Sequence, residues 1–152
     1  MSNPSSALEK CSEDLSHPRI TVRAVGRAAT FLNPEKAKIK RIDIDCWLSL
    51  SAVTRADYIL CKPGIADVIV ELKGKDIDHA VKQILSTHAL WKTIPSCSAK
   101  IGGLIVFTRS PQSSAVLART KALLLTKHHI WLEMGKSGLK EYKFETFTGK
   151  NP

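Results

Sequence analysis

Glu71 and Lys73 stand one residue apart near the end of a β-branched run, Asp67-Val68-Ile69-Val70-Glu71-Leu72-Lys73-Gly74. In an extended strand alternate side chains share a face, so Asp67, Ile69, Glu71 and Lys73 face one way and Val68, Val70 and Leu72 the other. Glu71 and Lys73 are then about 7 Å apart along the backbone, near enough to serve one small site. Charge inside an apolar strand costs several kcal/mol unless it is paired or binds an ion. Asp57 begins the preceding apolar run, 14 residues before Glu71. If the two runs pair as an antiparallel hairpin, the start of one meets the end of the next, and two carboxylates and a lysine gather at one edge. Carboxylates are the hard oxygen ligands that Mg²⁺ or Mn²⁺ prefers, and a bound cation would offset their repulsion. Lys73 could then orient or activate a water, or stabilise charge developing on a phosphate. The plainer reading of Glu71 and Lys73 alone is an internal ion pair at a strand end; Asp57 and the order of elements tip the balance toward chemistry.

The elements that would position these residues can be read along the chain. Residues 5–15 suit a short helix capped by Ser5 or Ser6. Residues 20–38 resist assignment, with a break at Asn33-Pro34. Residues 38–50 alternate with period two, as a strand does. Residues 56–64 and 66–74 form two further strands, joined by the Pro63-Gly64 turn as a hairpin. A helix follows from Asp76 or Asp78 to roughly Trp91, with Ile77, Ala80, Val81, Ile84, Leu85 and His88 on one face. Residues 100–108 are apolar throughout, as a central strand covered on both faces is. A second long helix spans 113–129 with Ser113 or Ser114 as cap, then a strand over 130–134 and a possible terminal one over 140–147. The order predicts an α/β protein with a mixed sheet flanked by helices.

The chain has 152 residues, which a single domain over 1–152 with one sizeable core accommodates. Twenty-three Lys and Arg against 14 Asp and Glu give a net charge of +9 and a pI near 9.6. Such an excess favours polyanionic partners, nucleic acid before acidic membrane surfaces. Arg19, Arg23, Arg27, Lys36, Lys38, Lys40 and Arg41 form the densest basic tract, candidates for phosphate contacts or simply a solvated face. No apolar run approaches the ~20 residues of a membrane span, and the N-terminus lacks the pattern of a secretory signal. Cys11, Cys46, Cys61 and Cys97 are too widely spaced for a Cys-x-x-Cys metal site. Reduced thiols and a cytoplasmic setting are therefore expected.

Asp57, then Glu71-Leu72-Lys73 on the following strand, then a helix carrying Gln83, resemble the PD-(D/E)XK phosphodiesterase superfamily, which includes restriction endonucleases, junction resolvases and repair nucleases. The resemblance spans roughly residues 5–107 and implies a restriction-endonuclease-like core of helix, three strands, helix and strand (αβββαβ). It implies metal-dependent hydrolysis of nucleic acid, DNA favoured over RNA, with Asp57 and Glu71 as ligands of Mg²⁺ or Mn²⁺ and Lys73 as catalytic lysine. The Leu72 carbonyl would be a further ligand, and Gln83 an auxiliary group reaching from the helix. Ala56 stands where the motif has proline, and Thr87 where recombination-type members carry a tyrosine after the glutamine. Many members add a glutamate from the first helix, for which Glu9 and Glu13 are both candidates.

Other residues admit plainer roles. Asp67 is expected to cap a turn, and Asp43 and Asp45 to sit on a solvated strand face. His128-His129 would end a helix favourably, and His79 would lie on exposed helix surface near the proposed site. Trp47, Trp91 and Trp131 belong more readily to a core than to base stacking. The rival function on the same fold is a binding module that holds nucleic acid or a partner protein without cutting, and an RNA nuclease would share the site. Residues 16–38 and 135–152 leave little chain for sequence-specific recognition, favouring shape or end recognition, a homodimer, or dependence on a partner protein.

Overall fold

Two apolar runs become strands with every residue buried: β6 (Ala66–Leu72) and β7 (Ile101–Phe107). Strands buried on both faces need two covers, and the fold supplies them as separate layers. The computed structural model describes residues 4–49, 52–72, 76–94, 100–108, 113–138 and 140–149. The remaining strands are β1 (Ser12–Leu15), β2 (Arg19–Ala24), β3 (Arg27–Leu32), β4 (Ile39–Asp43), β5 (Tyr58–Lys62), β8 (Trp131–Lys136) and β9 (Glu141–Lys143). The helices are α1 (Pro4–Lys10), α2 (Ile44–Trp47), α3 (Ile77–Trp91) and α4 (Ser114–His128), with a 3₁₀ turn at Phe144–Thr148.

The main sheet has six strands in the order β1-β4-β5-β6-β7-β8. β1, β4, β5 and β6 run antiparallel to their neighbours, whereas β7 and β8 continue parallel from β6. This is a mixed α/β sheet flanked by helices, as the element order predicts. On one face Ile59, Ile69 and Ile105 pack against Ile77, Ala80, Ile84 and Trp91 of α3 and Leu124 of α4. On the other, Leu60, Val68, Val70, Leu104 and Val106 meet a second sheet of order β2-β3-β9 through Ile20, Val22, Phe31 and Tyr142. Each such aliphatic or aromatic side chain contributes roughly 1.5–3 kcal/mol of burial. Lys62 crosses the gap between the sheets: 4 % exposed, it pairs with Glu35 and, at 3.0 Å, with Glu145, above the Phe144 ring.

Four segments depart from the sequence reading. The first helix stops at Lys10, because residues 12–15 are drawn into an edge strand on which Glu13 faces Arg41 and Asp14 faces Lys40 across the ladder. The strand over 38–50 ends at Asp43, whose carboxylate accepts the Cys46 N–H at 3.1 Å and starts the one-turn helix α2. Residues 20–38 contain a two-residue hairpin, with Gly26 at φ 74° supplying the left-handed turn position. The terminal segment contributes only three strand residues, and they join the second sheet, parallel to β3.

The cysteines also require correction. Cys11 and Cys46 are disulfide-bonded with their Cα atoms 5.6 Å apart, tying the end of α1 to α2. Pairing across 35 residues leaves no trace in local sequence. The expectation of reduced thiols fails for these two, and with it the cysteine basis for a cytoplasmic setting. Cys61 is half-buried on β5, and Cys97 lies outside the described residues. Among the described residues no helix is long and apolar enough to cross a membrane.

His88, on the buried face of α3, is 8 % exposed. Burial, with Lys92 and His128 nearby, pushes its pKa down from 6.5 to about 4. The folded chain therefore holds His88 neutral where the unfolded chain protonates it. Stability is full above pH 6.5 and falls as pH drops toward about 4, where the folded form takes up the proton too. Across that window His88 is expected to cost about 3 kcal/mol. Urea denaturation at stepped pH checks this, and His88→Gln should flatten that part of the profile.

Candidate active site

The hairpin of β5 and β6 pairs Tyr58 with Val70, Leu60 with Val68 and Lys62 with Ala66. Asp57 and Glu71 each stand one step beyond the Tyr58–Val70 pair, at the same end of the two central strands of the sheet. Asp57 is held there by two bonds: its N–H donates to the Val70 carbonyl at 3.1 Å, and its Oδ2 accepts the Leu72 N–H at 2.8 Å. Glu71 is 2 % exposed and shares the face of Ile69 that looks toward α3. A carboxylate this deep at a strand end carries a large desolvation cost, which a neighbouring cation offsets. Lys73, the third member of the predicted set, lies outside the described residues.

Helix α3 braces the approach to Asp57. Asp76 caps it, accepting the His79 N–H at 3.0 Å. One turn and two turns along, Gln83 and Thr87 turn toward the chain entering β5. Gln83 Nε2 donates to the Arg55 carbonyl at 3.0 Å, and Thr87 Oγ1 accepts the Ala56 N–H at 2.8 Å. Gln83 Oε1 is buried and has no hydrogen-bond partner among the described residues. Thr87 thus contributes a backbone anchor from the position where the resemblance would place a tyrosine.

Leu72 directly follows Glu71 in the chain, and its backbone is engaged at both ends. Its N–H goes to Asp57, and its carbonyl accepts Arg27 Nη1 at 3.3 Å. Asp57 and Glu71 are of the donor type a hard divalent cation takes, and they fit it. The Leu72 carbonyl fits by chemistry, but Arg27 must yield its long hydrogen bond for that oxygen to serve. Among the described residues no group of three or more His, Cys, Asp or Glu gathers around a common point. The described donors are thus this carboxylate pair with backbone oxygen. Tyr58, next to Asp57, has its phenol pushed above the usual range by burial and then by Asp43, so it stays protonated and donates to the Arg23 carbonyl at 2.9 Å.

The other singled-out residues have distinct placements. Asp67 does not cap a turn: it is 1 % exposed and accepts the Trp91 indole N–H at 2.8 Å. Asp45 pairs with Arg55 at 3.0 Å, Glu9 with Lys40 at 2.9 Å, and Glu13 with Arg41. Neither Glu9 nor Glu13 is brought to the Asp57–Glu71 edge by these bonds. Arg19 pairs with Glu141. Arg19, Lys40 and Arg41 are therefore partly neutralised by local acids, and the basic tract is less open to phosphates than its sequence suggests. Arg23, Lys36 and Lys38 are exposed and form no ion pair among the described residues. Trp91 is core and meets Trp47 edge-on at 6.1 Å, while His129 caps α4 in the left-handed conformation. His79 is exposed in the first turn of α3, and Trp131 is half-buried.

Arg27 is the residue at this site that sequence reasoning placed only in a general basic tract. Its hydrogen bond to Leu72 spans 45 residues, and no local pattern announces it. Compared with family models, with curated proteins and with solved structures, the chain finds no match.

Proposed function

We propose that the chain is a metal-dependent nuclease that hydrolyses phosphodiester bonds, DNA before RNA, on a PD-(D/E)XK, restriction-endonuclease-like core. One observation carries this reading: Asp57 and a buried Glu71 both stand one residue beyond the Tyr58–Val70 pair at the ends of adjacent strands, with Asp57 bonded to the Leu72 N–H. The order of elements supports it. β4, β5 and β6 are antiparallel neighbours followed by α3 and then by β7 parallel to β6, as an αβββαβ core would have, with β1–β3 inserted between α1 and β4 and the one-turn α2 between β4 and β5. The net charge of +9 suits a polyanionic substrate.

Asp57 and Glu71 would hold Mg²⁺ or Mn²⁺, which when bound lowers the pKa of a water and offsets charge on the phosphate. The Asp57 carboxylate is fixed by the Leu72 N–H, so it reaches the site already oriented. Glu71 is 2 % exposed, so its charge would act at low effective dielectric. Lys73 would stabilise charge developing at phosphorus. Gln83, with its carboxamide oxygen still to be satisfied, aligns the entry to β5 from α3.

The test is cleavage of single-stranded, duplex and branched DNA and of RNA, with Mg²⁺, Mn²⁺ or EDTA, beside Lys73→Ala. Metal-dependent cutting that disappears in the variant is expected. Cutting that persists in a folded Lys73→Ala chain removes the mechanism. Metal-independent binding with no cutting on any substrate replaces the nuclease with a binding module on the same framework.

A further inference from the structure

The β2–β3 hairpin is seated on the main sheet at three points, two of them beside the candidate carboxylates. Tyr58, which follows Asp57, donates its hydroxyl to the Arg23 carbonyl at 2.9 Å. Leu72, which follows Glu71, accepts from Arg27 Nη1 at 3.3 Å. The Ala28 N–H donates to Ser137 Oγ at 3.0 Å. The hairpin therefore presents Arg23 and Arg27 next to that edge, while its tip residue Val25 is 96 % exposed.

A cleft of about 290 Å³ opens here, lined by Arg23, Ala24, Gly26, Arg27, Ala28 and Ser137. It carries two guanidinium groups and no carboxylate. Neither arginine forms an ion pair among the described residues, and Arg27 Nε is buried with no hydrogen-bond partner there. A larger cavity of about 450 Å³, which Arg23 also lines, has mixed charge, with Glu13 and Asp43 beside Lys10, Arg23 and Arg41. The first cleft suits an anion better than the second, because its charged lining residues are cations with no acid among them.

We infer that the cleft between Arg23 and Arg27 is a phosphate subsite, holding a backbone phosphate of the nucleic acid that flanks the phosphate placed at Asp57 and Glu71. The subsite rests on the nuclease reading for its substrate class, and its own contribution is to grip and register the strand. Guanidinium groups suit this task because each presents a planar fork of donors to phosphate oxygens. The hydrogen bonds through Tyr58 and Leu72 couple that grip to the residues adjoining both carboxylates.

Fluorescence anisotropy of labelled single-stranded and duplex DNA, in EDTA and over a range of KCl, tests the subsite without requiring cleavage. Arg23→Ala and Arg27→Ala are each expected to weaken binding about tenfold and to reduce the slope of log K against log salt by about one. Arg27→Lys should keep the slope while losing part of the affinity, and Arg119→Ala, on the helical layer across the sheet, should change neither. Arg23 is exposed and its side chain makes no hydrogen bond among the described residues, so Arg23→Ala should melt as the parent does. An unchanged slope in folded Arg23→Ala overturns the subsite, as does failure of the parent chain to bind DNA. Binding that depends on both arginines in a chain that never cuts overturns the nuclease reading and keeps the subsite.

Discussion

Replacing Glu71 by glutamine is expected to lower phosphodiester cleavage about a thousandfold and leave the fold intact. The substitution keeps shape and removes one negative charge from a position that is 2 % exposed. A neutral amide costs less to bury than a carboxylate, so the variant should melt at or slightly above the parent temperature. Loss of activity with retained stability is the signature of a charge kept in a strand for chemistry. Asp57→Asn should behave alike in activity, since asparagine retains an oxygen to accept the Leu72 N–H but cannot supply charge. Single-turnover cleavage in Mg²⁺ and a thermal melt of each variant check both halves. Full activity in folded Glu71→Gln would reduce Glu71 to a buried acid with a structural partner.

The second large effect is on stability. Gly102→Ala is expected to destabilise the chain by about 3 kcal/mol, lowering Tm by about 6–12 °C. Gly102 lies in β7, and a Cβ there would sit 2.6 Å from Phe147 Cβ and 2.7 Å from its Cδ1. The Cβ of Phe147 is fixed to its backbone, so the 3₁₀ turn Phe144–Thr148 must move. Phe147 also packs on Phe31 and Tyr142, with ring centroids 5.9 and 6.5 Å away, so a shift disturbs the whole second layer. Gly103→Ala makes the contrast, because its Cβ would meet only side-chain methyls, of Ile84, Leu132 and Ile130, at 3.2, 3.3 and 3.5 Å. Its cost should stay within about 1 kcal/mol. Urea denaturation of both variants decides the matter, and equal losses would show that close approach of Phe147 is not the cause.

What was legible in the sequence was local. β6 and β7 show as unbroken apolar runs, α3 and α4 announce themselves through the caps Asp76 and Ser113, and Pro63-Gly64 marks the β5–β6 turn. Because that hairpin is local, the placement of Asp57 and Glu71 at the same end of two paired strands could be read from the sequence. The second sheet could not. β2 and β3 are diluted by alanines and charged residues, and β3 finds β9 far along the chain, Thr30 opposite Glu141. Pairing of Arg41 with Glu13 and of Lys40 with Glu9 spans 28 and 31 residues, so a basic tract looked freer than it is. The Trp91–Asp67 hydrogen bond and the Cys11–Cys46 bridge escaped for the same reason, as partners chosen by the tertiary fold.

The parallel pairing of β3 with β9 has a consequence for how the chain comes off the ribosome. Residues 19–32 emerge early, yet Phe31 is covered by Tyr142, Phe144 and Phe147, and Ala28 is anchored by Ser137. During synthesis the hairpin must therefore wait, its apolar underside only partly sheltered, while the main sheet assembles beneath it. The layer carrying Arg23 and Arg27 closes only when residues 137–147 have been made. A nascent chain thus has both strands of its carboxylate pair, and the Tyr58 and Leu72 seats of the hairpin, before the last strand of its second layer is made.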